Sequence, residues 1–269
     1  MKKGFFTNKY TLSVFILLAI LATDIYLHKG MSRVILPESF TGERPPQTGF
    51  IHCNQELTIN GKAWVKGVNT AALAATLDSN TNGIEMDVYF DTLKNTFFVY
   101  HDSDNLSTVT IDEIFSGMKK NDAKWSVWID FKNLFKYNGQ QSLQHLLELK
   151  RKYHLEKRML VESPNLEFLQ PFCDSGFFTS YYVPFFNPYN ETEQQLIGRV
   201  DSIAANLKKY KVSALSGYYF QMPFLKKFFP VFPLLTWTDD SRTSLVNNVF
   251  NRRLQKDTVI KIVLHPADN

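Results

Sequence analysis

From Gly49 onward, short apolar runs alternate with longer amphipathic stretches. The apolar runs fall at Gly49–Cys53, Gly83–Tyr89, Ser126–Phe131, Met159–Glu162, Phe178–Val183, Ala214–Tyr218, Val231–Trp237 and Val259–Leu264, with a further short one at Thr96–Tyr100. Runs of that length, rich in β-branched and aromatic residues, predict strands. Between them lie helical patterns with start signals. Asn69 can cap a helix over Thr70–Ser79. Thr110 with Glu113 forms a capping-box pair ahead of Ile111–Met118, and Asn190 with Glu193 does the same for a segment ending near Tyr210. Leu143, Leu146 and Leu147 give Gly139–Tyr153 a leucine face. Eight strands alternating with helices predict an α/β fold with a parallel sheet. About 220 residues for eight units suit a closed (β/α)8 barrel better than an open sheet.

The N-terminal segment breaks this rhythm. Lys2, Lys3 and Lys9 precede an apolar run from Thr11 to Leu27, apolar all round and interrupted only late, by Asp24. Its length suits an uncleaved anchor better than a cleaved signal, and no small-x-small cleavage site follows. The sequence thus predicts one N-terminal transmembrane helix (1–28), a tether (29–48) containing Pro45-Pro46, and a barrel domain (49–269). Basic residues ahead of the run place the barrel on the extracytoplasmic side. A net charge of +4, scattered along the chain, gives no support for a nucleic-acid partner. Cys53 and Cys173 lack metal-ligand spacing and are read as free buried thiols, with one bridge open to them if the domain lies outside the cytoplasm.

Chemistry concentrates at the predicted strand ends. In Gly83-Ile84-Glu85-Met86-Asp87-Val88-Tyr89, alternation puts Glu85 and Asp87 on one face. Two like charges on an apolar strand are costly unless something neutralises them, and a hard divalent cation takes carboxylate oxygens. Phe98-Val99-Tyr100 ends in His101-Asp102, and Gly49-Phe50-Ile51 ends in His52. Asp130 and Lys132 share a face at the end of a third strand. In a parallel barrel the strand C-termini gather at one rim, so these groups would meet there. That convergence requires His52 and His101 to lie at the same end of the molecule.

These pieces resemble the phosphatidylinositol-phospholipase-C-like phosphodiesterase superfamily, which includes glycerophosphodiester phosphodiesterases and the sphingomyelinase D group of spider venoms. The match rests on His52, on Gly83, Glu85 and Asp87, on His101-Asp102, on Asp130-x-Lys132, on Leu235-Thr236-Trp237-Thr238 and on His265-Pro266. The resemblance implies a metal-dependent phosphodiesterase. Glu85, Asp87 and Asp130 would hold Mg2+ or Ca2+, His52 and His101 would share acid and base work, and Lys132 and Trp237 would bind substrate. The substrate would be a small-molecule or lipid phosphodiester. The sequence departs from that pattern in having Cys53 where many glycerophosphodiesterases carry Arg, and in a longer His52-to-Glu85 interval, which predicts a loop over Gln55–Val68. A catalytically inactive barrel acting as a membrane-anchored binding module is the alternative. A polysaccharide hydrolase fits poorly, because Glu85 and Asp87 share one strand instead of flanking a cleft. No glycine-rich phosphate loop, dinucleotide fingerprint or nucleophile elbow is present.

Overall fold

The computed structural model describes residues 9–27, 38–40, 42–77, 80–102, 106–119, 125–238 and 245–267. Lys2 and Lys3, and residues 28–37, which include the first part of the 29–48 tether, lie outside the described residues.

Nine strands form one sheet: β1 (Ala63–Lys66), β2 (Gly83–Asp91), β3 (Thr96–Val99), β4 (Ser126–Phe131), β5 (Met159–Ser163), β6 (Phe178–Tyr182), β7 (Ala214–Tyr218), β8 (Leu234–Trp237) and β9 (Ile260–Pro266). Eight run parallel, and pairing of β1 with both β2 and β9 closes them into a barrel. The ninth, β3, pairs antiparallel with an extension of β2 that overshoots the barrel. The helices are α1 (Lys9–Leu27), α2 (Ala71–Thr76), α3 (Ile111–Lys119), α4 (Gly139–Lys152), α5 (Leu166–Asp174), α6 (Glu193–Lys209), α7 (Met222–Phe228) and α8 (Leu245–Lys256). The architecture is a (β/α)8 barrel.

Side-chain alternation sorts each strand between two cores. Trp64, Trp128, Leu160, Ala214, Leu235, Ile262 and Leu264 point inward and fill the barrel. Their neighbours, such as Val127, Ile129 and Val161, point outward to the helices in a larger apolar layer. Trp64 is admitted because Gly83 faces it: a Cβ on Gly83 would lie 2.3 Å from the indole.

Four expectations change. The first strand is Ala63–Lys66, within the segment expected to be a loop over the site. Gly49–Cys53 is extended but contributes only an isolated bridge, His52 to Val212. The sequence between Gly49 and Asn60 crosses the N-terminal rim instead. Cys53 N donates to Val212 O, Gln55 Nε2 to Cys173 O, Thr58 N to Lys157 O, and Ser126 Oγ to Thr58 O. Leu57 and Ile59 pack against the barrel interior, so this segment is a plug. The cysteines are also not free: Cys53 and Cys173 form a disulfide that ties the plug to α5. Finally, α1 is mostly exposed and apolar, yet among the described residues no helix is long and apolar enough to cross a membrane. The expected transmembrane helix is therefore unsupported. Two start signals shift as well: Thr70, not Asn69, caps α2, and Thr192 with Gln195 forms the box at α6. The Thr110–Glu113 box is formed as expected.

Candidate active site

Strand β2 carries Glu85 and Asp87 inward, both buried. The turn after β1 receives them. Gly67, at φ +69°, adopts a conformation natural to glycine, and its N–H donates to Glu85 Oε2 at 2.7 Å. Asn69 binds Asp87 twice: Nδ2 donates to Oδ2 at 2.8 Å, and Oδ1 accepts from the Asp87 backbone N–H at 3.1 Å. Across the sheet Asp87 stands in register with Asp130, and Asp130 with Glu162 on β5. Four inward carboxyl groups thus occupy three adjacent strand ends.

Lys132 follows Asp130 by two residues and shares its face. Its Nζ pairs with Asp87 Oδ1 at 2.7 Å and with Asp130 Oδ2. Burial opposes the lysine charge, but Asp130 and Asp87 outweigh it and move its pKa up. The acids feel the reverse. Burial first, then the charges of Asp87 and Asp130, push Glu85 well above the usual carboxylate range. Burial and then Asp130 do the same to Glu162, against weaker pulls from Ser216, Lys132 and Trp128. Asp130 is raised chiefly by burial, with Lys132 opposing. One ammonium cannot balance this many carboxylates, so the cluster either retains protons or takes up further positive charge.

The chemistry of the donor set fits a divalent cation. One carboxylate oxygen each from Glu85, Asp87 and Asp130 lies within 4.8 Å of the others. Oxygen donors at that spacing suit Mg2+ or Ca2+. Glu162 Oε2 is buried without a hydrogen-bond partner beside this group, which is the kind of orphan an additional positive charge would relieve.

Above the carboxylates opens a cavity of about 350 Å3, lined by Lys66, Asn69, His101, Tyr182, Tyr218 and Trp237 together with the acids and Lys132. His101 is exposed, and its Nδ1 lies 2.8 Å from Asp102 Oδ1. An Nδ1 proton shared with Asp102 leaves Nε2 to accept or release the other. Trp237 meets Tyr218 and Tyr182 edge-on, at centroid separations of 4.9 and 5.5 Å, forming an aromatic wall opposite His101's loop.

Six of the seven expected site residues therefore line one cavity: Glu85, Asp87, His101, Asp130, Lys132 and Trp237. His52 does not. It bridges Val212, ahead of β7, and its ring packs 4.5 Å from Phe232, ahead of β8. Both neighbours lie at the N-terminal rim, whereas His101 opens on the C-terminal rim. The two histidines are at opposite ends of the barrel, and a shared acid–base role is overturned. His101 is the only imidazole lining the cavity among the described residues. In place of a histidine, β1 presents Lys66 at its end. His265 pairs with Gln255 of α8, on the outward face.

Sequence reasoning missed Lys66, Gly67 and Asn69, because the four-residue β1 carries too few alternations to be recognised. Glu162 was legible as an acid at a strand end but had no partner in sequence.

Comparison with known proteins extends the fold assignment. No family model and no curated protein matches the chain. Among solved structures, a protein from Silicibacter pomeroyi assigned as a glycerophosphoryl diester phosphodiesterase is similar, with a TM-score of 0.53 and 13% identity over 78% of this chain and 91% of that one. One from Galdieria sulphuraria, assigned as a glycerophosphodiester phosphodiesterase, gives 0.51 and 14% over 78% and 94%. At these identities the likeness establishes a shared fold, the (β/α)8 barrel.

Proposed function

We propose that the protein is a divalent-cation-dependent phosphodiesterase acting on a glycerophosphodiester or phospholipid-like substrate. The observation that carries this reading is the triad of carboxylates, buried Glu85 and Asp87 with half-buried Asp130, set beside Lys132 and beneath His101 at one barrel rim. The fold shared with proteins assigned to that activity supports it.

In this reading Glu85, Asp87 and Asp130 hold Mg2+ or Ca2+. The cation, when bound, polarises phosphoryl oxygens and offsets the charge that gathers on them during displacement. Lys132 and Lys66 add positive charge at the cavity floor and mouth and orient the phosphate. His101, steadied by Asp102, moves a proton through Nε2, either from the attacking hydroxyl or to the departing oxygen. With one imidazole instead of two, the other proton transfer is left to solvent. Tyr182, Tyr218 and Trp237 cover the organic part of the substrate. The disulfide between plug and α5 suits a compartment outside the reducing cytoplasm.

Among the described residues no second imidazole lines the cavity, which favours one competing reading, a barrel that binds a phosphodiester without cleaving it. A panel of glycerophosphodiesters and lysophospholipids, assayed with and without EDTA, separates the two. Cleavage that EDTA abolishes and added Mg2+ or Ca2+ restores supports the enzyme. Cation-dependent thermal stabilisation with no product from any substrate supports the binding module.

A further inference from the structure

Around the cavity, β2 and β4 carry the proposed cation ligands, and β6, β7 and β8 carry the aromatic wall of Tyr182, Tyr218 and Trp237. Between the two halves stands β5 with Glu162. Glu162 is in register with Asp130 and only 2% exposed, yet it lines the cavity. It lies outside the group of three whose carboxylate oxygens come within 4.8 Å of one another. Ser216 and Trp128 are near its carboxyl group, but Oε2 is buried with no hydrogen-bond partner. A buried carboxylate oxygen in that state is costly until a ligand donates to it. On its other side Glu162 interacts electrostatically with Tyr182. Tyr182 meets Trp237, and Trp237 meets Tyr218, so the acid and the three rings form one connected surface.

The charges of the occupied cavity point the same way. Four carboxylates and a phosphodiester anion bring five negative charges, whereas a divalent cation, Lys132 and Lys66 bring four positive ones. His101 and Asp102 are paired and add nothing when both are charged. Lys132 is held by Asp87 and Asp130, and Lys66 is on β1, separated from β5 by β2 and β4. One positive charge is therefore wanted, on the side of Glu162 and the rings. We propose that Glu162 and the aromatic wall receive a primary ammonium group, so that the substrate is a phosphodiester of the ethanolamine type. A primary ammonium has three N–H donors for Oε2 and a charge that electron-rich rings attract. A trimethylammonium has the charge but no donor, and a glycerol head has donors but no charge. A serine head brings a further carboxylate, which restores the excess. The proposal rests on the phosphodiesterase reading for its phosphate, while the ammonium site is testable without turnover.

Steady-state kinetics on the full chain compares glycerophosphoethanolamine, glycerophosphocholine and glycerophosphoglycerol, in wild type and in Glu162→Gln. Wild type should favour the ethanolamine ester over each of the others by at least about 10-fold in kcat/KM, as a site does when an analogue lacks the group it is built to bond. Glu162→Gln should erase that preference, whatever it does to the absolute rates. A wild type that treats the three alike, or that prefers another ester, overturns the proposal, as does a preference that survives in folded Glu162→Gln. Should the variant not fold, the wild-type ranking decides alone. Should no ester be cleaved, the phosphodiesterase reading fails separately, and calorimetric titration of wild type with ethanolamine phosphate and choline phosphate, in Mg2+ and in EDTA, decides. Tighter binding of ethanolamine phosphate then supports the ammonium site, and equal, reversed or absent binding overturns it.

Discussion

The two ends of this barrel are made from the same eight strands and have opposite character. At the N-terminal rim an extended segment is laced to the strand starts, Leu57 and Ile59 close the interior, and a disulfide fixes the arrangement. At the C-terminal rim the interior is left open, and four carboxyl groups, three of them buried, line a cavity with a single lysine bridging two of them. The first end gathers contacts that stabilise. The second concentrates groups that repel one another, an arrangement that persists because the rest of the fold holds it in place. A histidine at the end of an apolar run therefore means different things at the two ends: His101 lines the cavity and His52 belongs to the plug.

The largest expected effect tests that division. His101→Ala should lower turnover of a cleaved phosphodiester by roughly 100- to 10,000-fold, the usual range for losing a positioned acid or base. His52→Ala should leave turnover close to wild type. Steady-state kinetics on both variants checks this, and a comparable loss in His52→Ala would erase the distinction between the rims.

Next in size is the disulfide. Cys53 and Cys173 are 120 residues apart, so replacing both with Ser should cost about 2–5 kcal/mol in denaturant unfolding. The remaining folded molecules should bind cation as wild type does, because the bridge lies at the other end.

A smaller effect concerns pH. Glu85 and Asp130 have folded pKa values raised above their ordinary 4.5 and 3.8. Raised acids favour the fold below those ordinary values, and that contribution is lost as pH climbs through the folded ones. Protons and a cation compete for the same oxygens, so stabilisation by Mg2+ or Ca2+ should grow as pH rises above the ordinary carboxylate range and through the raised folded values. At roughly 100 times Kd it should reach about 2.7 kcal/mol. Thermal unfolding with and without cation across that range reads it out, and Glu85→Gln should flatten the dependence.

The sequence made most of the barrel legible, and the reason is periodicity. Ser126–Phe131 and Ala214–Tyr218 are strands with the expected bounds, because a short run buried on both faces is largely apolar and sharply ended. The alternation in β2 placed Glu85 and Asp87 on one face, and the spacing in β4 added Asp130 and Lys132. What failed was the start. Gly49–Cys53 looks like a first strand, but Phe50 packs against the outer layer and Ile51 is exposed, whereas Ala63–Lys66 is only four residues long. Pattern alone could not choose between them, since membership in a closed sheet depends on pairing with β2 and β9, a long-range property. The role given to His52 followed from that choice. Lys66 and Gly67 went unnoticed and Asn69 was read only as a helix cap for the same reason, although Gly67 after Lys66 marks the turn that reaches Glu85. The cysteine pairing depends on a chain crossing that no local pattern encodes.

The central claim is that the carboxylates of the C-terminal rim form a divalent-cation centre, and calorimetric titration of the full chain tests it most directly. Wild type should bind Mg2+ or Ca2+ at a single site, and the Glu85→Gln/Asp87→Asn variant, folded by circular dichroism, should bind none. Silence in the wild type, or an undiminished isotherm in the variant, would contradict the account.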